Sequence, residues 1–256
     1  MLFKDKIVVI TGGTSGIGKC TAIEFSKQGA IVIALTVDRD EVAQKAIEEI
    51  GNGAEYIKCD VSKDEQVKDS IDYVVNKYGR IDCAFNNAGI GPDGVRMPYE
   101  TITEISEKTW DIVVDVDMKG VFLCMKYELI QMQKQGFGTI VNTASIGGYK
   151  MAPGFAAYGP SKAAVIALTE MGALESAKYG VRVNAICPGP TSGTELTKNT
   201  LATNPNQEEI LKEHVIPMKK LAVPNEVANA VLWLSSDLSS HTTGQKIFID
   251  GGMHVA

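Results

Sequence analysis

Seven short runs of apolar, often β-branched residues recur along the chain, and between them apolar positions return every three or four residues. The runs are KIVVIT (6–11), AIVIAL (30–35), EYIKCDV (55–61), IDCAFNN (81–87), GTIVNTAS (138–145), VRVNAIC (181–187) and QKIFID (245–250), and their length and composition predict strands. The segments 16–28, 40–50, 64–78, 110–134, 161–178 and 225–236 have the period of amphipathic helices. Strands alternating with helices imply right-handed crossovers and a parallel sheet, so an α/β chain of seven strands is expected. IVVI is apolar at every position, as a strand covered on both faces should be. One long stretch has neither period. Residues 188–206, PGPTSGTELTKNTLATNPN, are rich in Thr, Asn, Gly and Pro and predict an irregular segment that, extended to 213, serves as a lid over a site.

Composition narrows the class. With 256 residues, 45% of them hydrophobic and 22% charged, the chain can bury one large core, and no linker or composition shift divides it, so 1–256 is expected to be a single domain. A net charge of -6 supplies no basic face for nucleic acid or an anionic membrane surface, which leaves a small molecule as the expected partner. No run reaches the roughly 18 apolar residues of a membrane span, and the first residues enter a strand without a signal-peptide pattern. A cytoplasmic location is the expectation. Five cysteines are dispersed, odd in number and form no CxxC pair, which argues for reduced thiols. His214, His241 and His254 lack paired spacing, so no metal site is expected.

The first chemical signal lies between the first strand and the first helix. TGGTSGIG places Gly12, Gly16 and Gly18 where the backbone must turn tightly and present amide N–H groups at a helix N-terminus, the arrangement that receives a pyrophosphate. A bare strand-to-helix turn has the same glycine content, so the turn alone leaves both readings open. A second signal is AAYGPSK, in which Tyr158 and Lys162 stand four apart and face the same way on a helix. Pro160 between them is tolerated if the helix begins near Tyr158, because a first-turn N–H has no partner to lose.

TGGTSGIG at 11–18, NNAG at 86–89, Ser145 thirteen residues before Tyr158, YGPSK at 158–162 and NAICPG at 184–189 together resemble the motif set of the short-chain dehydrogenase/reductase family across essentially the whole chain. The resemblance implies a Rossmann-like, doubly wound fold with seven mainly parallel strands and helices on both faces. It also implies an oxidoreductase that moves hydride between NAD or NADP and a secondary alcohol or ketone. Proton transfer at the substrate oxygen needs an acid/base. The resemblance gives that role to Tyr158, whose ordinary pKa of about 10 must be lowered by a cation, here Lys162. Ser145 becomes a hydrogen-bond donor to the substrate oxygen, although on its own it reads as a cap or turn residue before Gly147 and Gly148. A non-catalytic, NAD(P)-sensing protein on the same fold is the other reading.

The chain departs from the family at Asp117, which stands in VDVDMKG where the family has an asparagine. A carboxylate near Lys162 is expected to offset the lysine's pull on Tyr158 and to shift the pH optimum. Cofactor contacts implied by the resemblance are Gly12, Thr14, Ser15, Gly16, Ile17 and Gly18 in the turn, Thr36 and Arg39 after the second strand, Asp60 and Val61 at the adenine, Asn87 and Gly89 of NNAG, Tyr158 and Lys162, and Pro188, Gly189, Thr191 and Thr194 after the sixth strand. Thr36 stands where NAD-dependent relatives carry an acid, and with Arg39 beside it the balance leans to NADP; Asp38, Asp40 and Glu41 in the same turn pull towards NAD. Met97, Tyr149, Met151, Phe155 and Leu196 are candidates for an apolar pocket, fitting a cyclic, aromatic or steroid alcohol, or for ordinary packing. Arg96 and Lys150 are candidates for meeting an acidic substrate. Val113, Val121, Leu168 and Met171 on two long helices, with GQKIFIDGG near the end, suggest a homotetramer.

Overall fold

The computed structural model describes all 256 residues. All seven strands form where the apolar runs fall: β1 (Ile7–Thr11), β2 (Ile31–Thr36), β3 (Glu55–Lys58), β4 (Cys83–Asn86), β5 (Gly138–Thr143), β6 (Val181–Pro188) and β7 (Lys246–Ile249). They make one sheet in the order β3-β2-β1-β4-β5-β6-β7, and every pairing in it is parallel. β1 is buried at all five positions, as its unbroken apolar sequence requires. The helices are α1 (Gly16–Lys27), α2 (Asp40–Ile50), α3 (Asp64–Tyr78), α4 (Glu107–Val114), α5 (Gly120–Gln135), α6 (Tyr158–Ser176), α7 (Glu195–Thr203), α8 (Gln207–Ile210) and α9 (Pro224–Ser235). They cover both faces, with one core on each. On one side Val9, Leu35, Val67, Val121 and Val165 are among the buried residues that pack together, and on the other Val8, Ile10, Phe25, Phe85 and Val231 do. None of the helices is long and apolar enough to cross a membrane.

Sheet order reverses between β1 and β4, and in such folds the ligand crevice opens at the carboxyl ends of the strands on either side of that reversal. The glycine turn after β1 and NNAG after β4 therefore become neighbours. Thr11 fixes them together: its hydroxyl accepts from the backbone N–H groups of Asn87 and Ala88, both at 2.9 Å.

Three segments differ from the expectation. The helix expected over 110–134 runs from 107 to 135 but is interrupted at Asp115–Lys119 by a wide π turn, in which the Gly120 N–H donates to the Asp115 carbonyl. The helix expected to begin at 161 begins at Tyr158, so Pro160 falls in its first turn, where it costs no hydrogen bond. The stretch expected to be irregular contains α7 and α8. Thr194 caps α7 by accepting from the Thr197 N–H at 3.3 Å, and a run of threonines with weak helix propensity concealed that start.

Candidate active site

The glycine turn is shaped for a close backbone approach. Gly12 and Gly16 have positive φ, and a Cβ on Gly18 would stand 2.1 Å from the Gly12 carbonyl oxygen, so glycine is forced at 18 by packing and favoured at 12 and 16 by conformation. No side chain caps α1, and Ser15, at its N-cap, is exposed. The first N–H groups of α1 therefore face the crevice with the positive end of the helix dipole behind them. Thr194, entering α7, reaches within 3.9 Å of where a Gly16 Cβ would be, so the segment from Pro188 to Thr194 lies across this turn.

At the end of β2 the side chains form a closed ring. The Asp38 N–H donates to the Thr36 hydroxyl at 3.0 Å, the Thr36 and Thr14 hydroxyls are 2.8 Å apart, and the Thr14 hydroxyl donates to the Asp38 carboxylate at 2.6 Å. Thr14 and Thr36 are both buried, and Asp38 is the half-buried member at the rim. Arg39 is exposed and shares an adjoining cleft of about 450 Å³ with Lys19, Lys45, Glu41 and Glu49. Asp60 spends one carboxylate oxygen on the Ser62 N–H and hydroxyl, at 3.0 and 2.7 Å, while Val61 is buried against Gly120. Asn87 turns its amide inwards, donating to the Thr11 carbonyl at 3.2 Å and the Gly12 carbonyl at 3.5 Å, so it braces the glycine turn. Thr191 is buried, with its hydroxyl on the Gly189 carbonyl at 3.0 Å.

Tyr158, Lys162, Ser145 and Asp117 converge from the start of α6, the end of β5 and the π turn. Lys162 Nζ is 3.2 Å from Asp117 Oδ2, donates to the Thr143 carbonyl at 3.2 Å, and lies 5.6 Å from the centre of the Tyr158 ring. Asp117 is fully buried and Lys162 nearly so. The other Asp117 oxygen accepts from the Ile90 N–H at 2.7 Å, which ties the pair to the segment after NNAG. A Cβ on Gly89 would come within 3.1 Å of Lys162 Nζ and 3.4 Å of Asp117 Oδ1, so a bare backbone is needed beside the pair. The Ser145 hydroxyl accepts from the Gly147 N–H at 3.0 Å, which sets its orientation at the end of the strand.

These contacts fix the electrostatics. Burial pushes the Tyr158 phenol above its ordinary pKa; Lys162 pulls it down, Asp117 pushes it back up, and the Ser145 hydroxyl lowers it slightly, leaving it raised. Burial alone would lower the Lys162 ammonium, but the charge of Asp117, and then of Tyr158, carries it above the usual lysine range. Burial likewise raises Asp117 against the pull of Lys162 and the Ile90 N–H. Lys162 is thus held as a cation, with part of its charge compensated before it acts on the phenol.

Two groups near the mouth are engaged elsewhere. Arg96 pairs with Asp93 at 2.7 Å and with Glu195 at 3.0 Å, and Lys150 donates to the Met253 carbonyl at 3.2 Å and to the Ala256 carbonyl. Phe155 stacks edge-on to Tyr99 and tilted on Tyr158, and with Met97 and Tyr158 it lines a small, mainly apolar cavity. Tyr149 packs edge-on against Phe248, and Met151 is exposed at the rim. Sequence reasoning noticed Asp38 only as one of several acids in a turn and did not single out Asp93; both gain meaning from side chains distant in sequence.

A family model described as enoyl-(acyl carrier protein) reductase matches residues 12–254. An uncharacterized oxidoreductase of Thermotoga maritima is 41% identical over 98% of both chains, and a 3beta-hydroxysteroid dehydrogenase of Mediterraneibacter gnavus is 37% identical over 98% of this chain and 95% of its own. The crystal structure of NAD+-bound xylitol dehydrogenase superposes with a TM-score of 0.91 at 33% identity, covering 98% of this chain and all of that one. The chain belongs to the short-chain dehydrogenase/reductase family, and it is an NAD(P)-dependent oxidoreductase that interconverts an alcohol and a carbonyl by hydride transfer. The glycine-lined turn, the open N-terminus of α1 and the bare backbone at Gly89 beside Lys162 fit a nicotinamide dinucleotide.

Proposed function

We propose that the chain acts as a single catalytic domain that reduces a neutral, bulky ketone to a secondary alcohol, and runs the oxidation at higher pH, with Tyr158 as acid/base. The observation that carries this is the cluster in which the half-buried Tyr158 and the buried Lys162, Ser145 and Asp117 meet from three separate elements. The nicotinamide, when bound, supplies or accepts the hydride. The chain's own part is to hold the carbonyl oxygen and move one proton. Ser145 donates a hydrogen bond to that oxygen, Tyr158 delivers its phenolic proton to it as charge develops, and Lys162 stabilises the phenolate left behind. Burial, with Asp117 offsetting the lysine, holds the Tyr158 phenol above its ordinary range, so it keeps its proton at neutral pH, which suits reduction. Tyr158→Phe is expected to lower kcat by about a thousandfold, within the range of general acid–base contributions, with dinucleotide binding unchanged by fluorescence titration. An active phenylalanine variant ends this reading.

For the dinucleotide, the side chains around the ribose site support NAD, against the lean to NADP drawn from Thr36 and Arg39. Thr36 is consumed in the ring with Thr14, and the ring seats the Asp38 carboxylate at the rim, where it would accept from the ribose hydroxyls of a bound dinucleotide and repel a 2′-phosphate. Glu41 and Glu49 stand among Arg39, Lys19 and Lys45 in the neighbouring cleft, and Lys19 is paired with Glu49 at 2.8 Å. The kcat/KM ratio is expected to favour NADH over NADPH, and Asp38→Asn to shrink that preference by about tenfold, one favourable charge contact.

Met97, Phe155 and Leu196 around Tyr158 support an apolar substrate, and the engagement of Arg96 and Lys150 removes the candidates for an acidic one. A panel of cyclohexanone, a 3-oxo steroid and a β-keto ester, each with NADH and NADPH, tests both assignments; a marked preference for the keto ester over both cyclic ketones overturns the substrate class. Residues 188–213 are read as the lid, a homotetramer as the working assembly, and the cytoplasm as its location.

A further inference from the structure

Asp93 lies outside every cofactor motif, yet its side chain is completely buried and accepts five hydrogen bonds. Its Oδ1 accepts from the backbone N–H groups of Val95 at 3.0 Å, Arg96 at 2.7 Å and Met97 at 3.3 Å, and its Oδ2 from Arg96 Nε at 2.7 Å. Those four come from its own loop. The fifth comes from α7, where Asn199 Nδ2 donates to Oδ2 at 2.8 Å. These donors outweigh burial and hold the carboxyl well below the usual carboxylate range.

Two further contacts join the same loop to the same helix. Arg96 Nη1 is 3.0 Å from Glu195 at the first turn of α7, and the Tyr99 and Thr200 hydroxyls are 2.8 Å apart. Between them, Leu196 and Tyr158 crowd the space beside Gly91. A Cβ there would stand 3.0 Å from the Leu196 side chain and 3.0 Å from the Tyr158 ring. Leu196 of α7 and the Tyr158 ring thus meet at one glycine.

We infer that Asp93 is a positioning residue, which latches α7 across the cleft through Asn199 and so sets the wall formed by Leu196 and Gly91 beside Tyr158. This rests on the reading of Tyr158 as acid/base and of 188–213 as a lid. Glu195 and Thr200 reinforce the latch from the rim, where solvent weakens their bonds; Asp93 is its dry centre, where a charge-assisted bond is strongest.

Asn199→Ala removes the cross-link and leaves the four bonds within the loop. Its KM for the fastest ketone of the panel is expected to rise about tenfold, the loss of one hydrogen bond to a charged group, with kcat changed less than about threefold. Tryptic cleavage after Lys198, in the latched helix, is expected to accelerate in the same proportion. Asn199→Asp sets two carboxylates face to face and is expected to do at least as much. Adding Asp93→Asn to Asn199→Asp removes the carboxylate repulsion but sets an amide N–H against Arg96 Nε, so it is expected to recover only part of the wild-type KM and cleavage rate. Asn199→Asp with wild-type KM and cleavage, or Asn199→Ala with both unchanged, overturns the latch. Cleavage needs no turnover, so failure of the acid/base assignment, seen as an active Tyr158→Phe enzyme, is read separately.

Discussion

At the scale of single residues, the distinctive feature is the direct pairing of Asp117 with Lys162. Replacing Asp117 by Asn removes the charge that pushes the Tyr158 phenol up, so its pKa falls. The oxidation rate needs the phenolate, and its rise with pH should therefore move to lower pH in Asp117→Asn, as a pH profile of kcat/KM would record. An unmoved profile refutes the coupling. Asp117→Ala should instead cost about 3–5 kcal/mol of stability, because it strands a buried ammonium. Tyr158 and Lys162 were legible from their types and spacing, whereas Ser145 and Asp117 stood out only through the family resemblance, Asp117 as a departure from it. Asp93 and Asp38 were not legible as site residues. Each acquires its role from a partner that only the fold brings near, Asn199 in one case and Thr14 in the other.

At the scale of elements, boundaries were read well where periodicity was strong and poorly where capping decided them. The strands fell within a few residues of expectation, whereas α7 was missed because its signal is one threonine cap on a helix of weak formers. The helix α5 carries a hidden liability. Glu128 is fully buried, accepts from Asn86 Nδ2 at 2.9 Å on one oxygen, and has no partner for the other. Burial pushes its pKa up to about 7. A carboxyl with a raised folded-state pKa is harmless while protonated, so stability should fall as pH rises from about 4.5, its unfolded value, through about 7. The loss amounts to roughly 3 kcal/mol. Glu128→Gln should flatten that dependence and raise Tm at pH 8 more than at pH 5, as thermal melts at the two values would reveal.

At the scale of the whole molecule, a seven-stranded parallel sheet covered on both faces followed from the alternation of elements together with the family resemblance, while the outward surface did not. Val113 and Val121, expected at a subunit contact, are core residues; the apolar side chains that α4, α5 and α6 expose are Trp110, Ile112, Phe122, Ile130, Met171 and Leu174. Periodicity distinguishes an apolar face from a polar one, but a helix that is apolar on two faces leaves open which one looks inwards. Ile130 and Leu174 are 60% and 78% exposed, so a charge at either costs the monomer little. If these helices pair in the proposed tetramer, Ile130→Asp with Leu174→Asp should halve the sedimenting mass while costing the fold of each subunit no more than about 1 kcal/mol, the scale of an ordinary surface change. A tetramer that survives the double change places its contacts elsewhere.

If Asp38 selects the coenzyme as proposed, the ring of Thr14, Thr36 and Asp38 bears on any attempt to re-engineer this enzyme for a different one. Small uncharged residues are the obvious choice for admitting a phosphate at position 38, but alanine or glycine there would leave a buried threonine hydroxyl without its acceptor. A designer who changes the charge must therefore keep an oxygen in place. Asparagine meets both demands, and a route to phosphate tolerance that begins with asparagine at 38 spares the scaffold a penalty that a bolder truncation would impose at once.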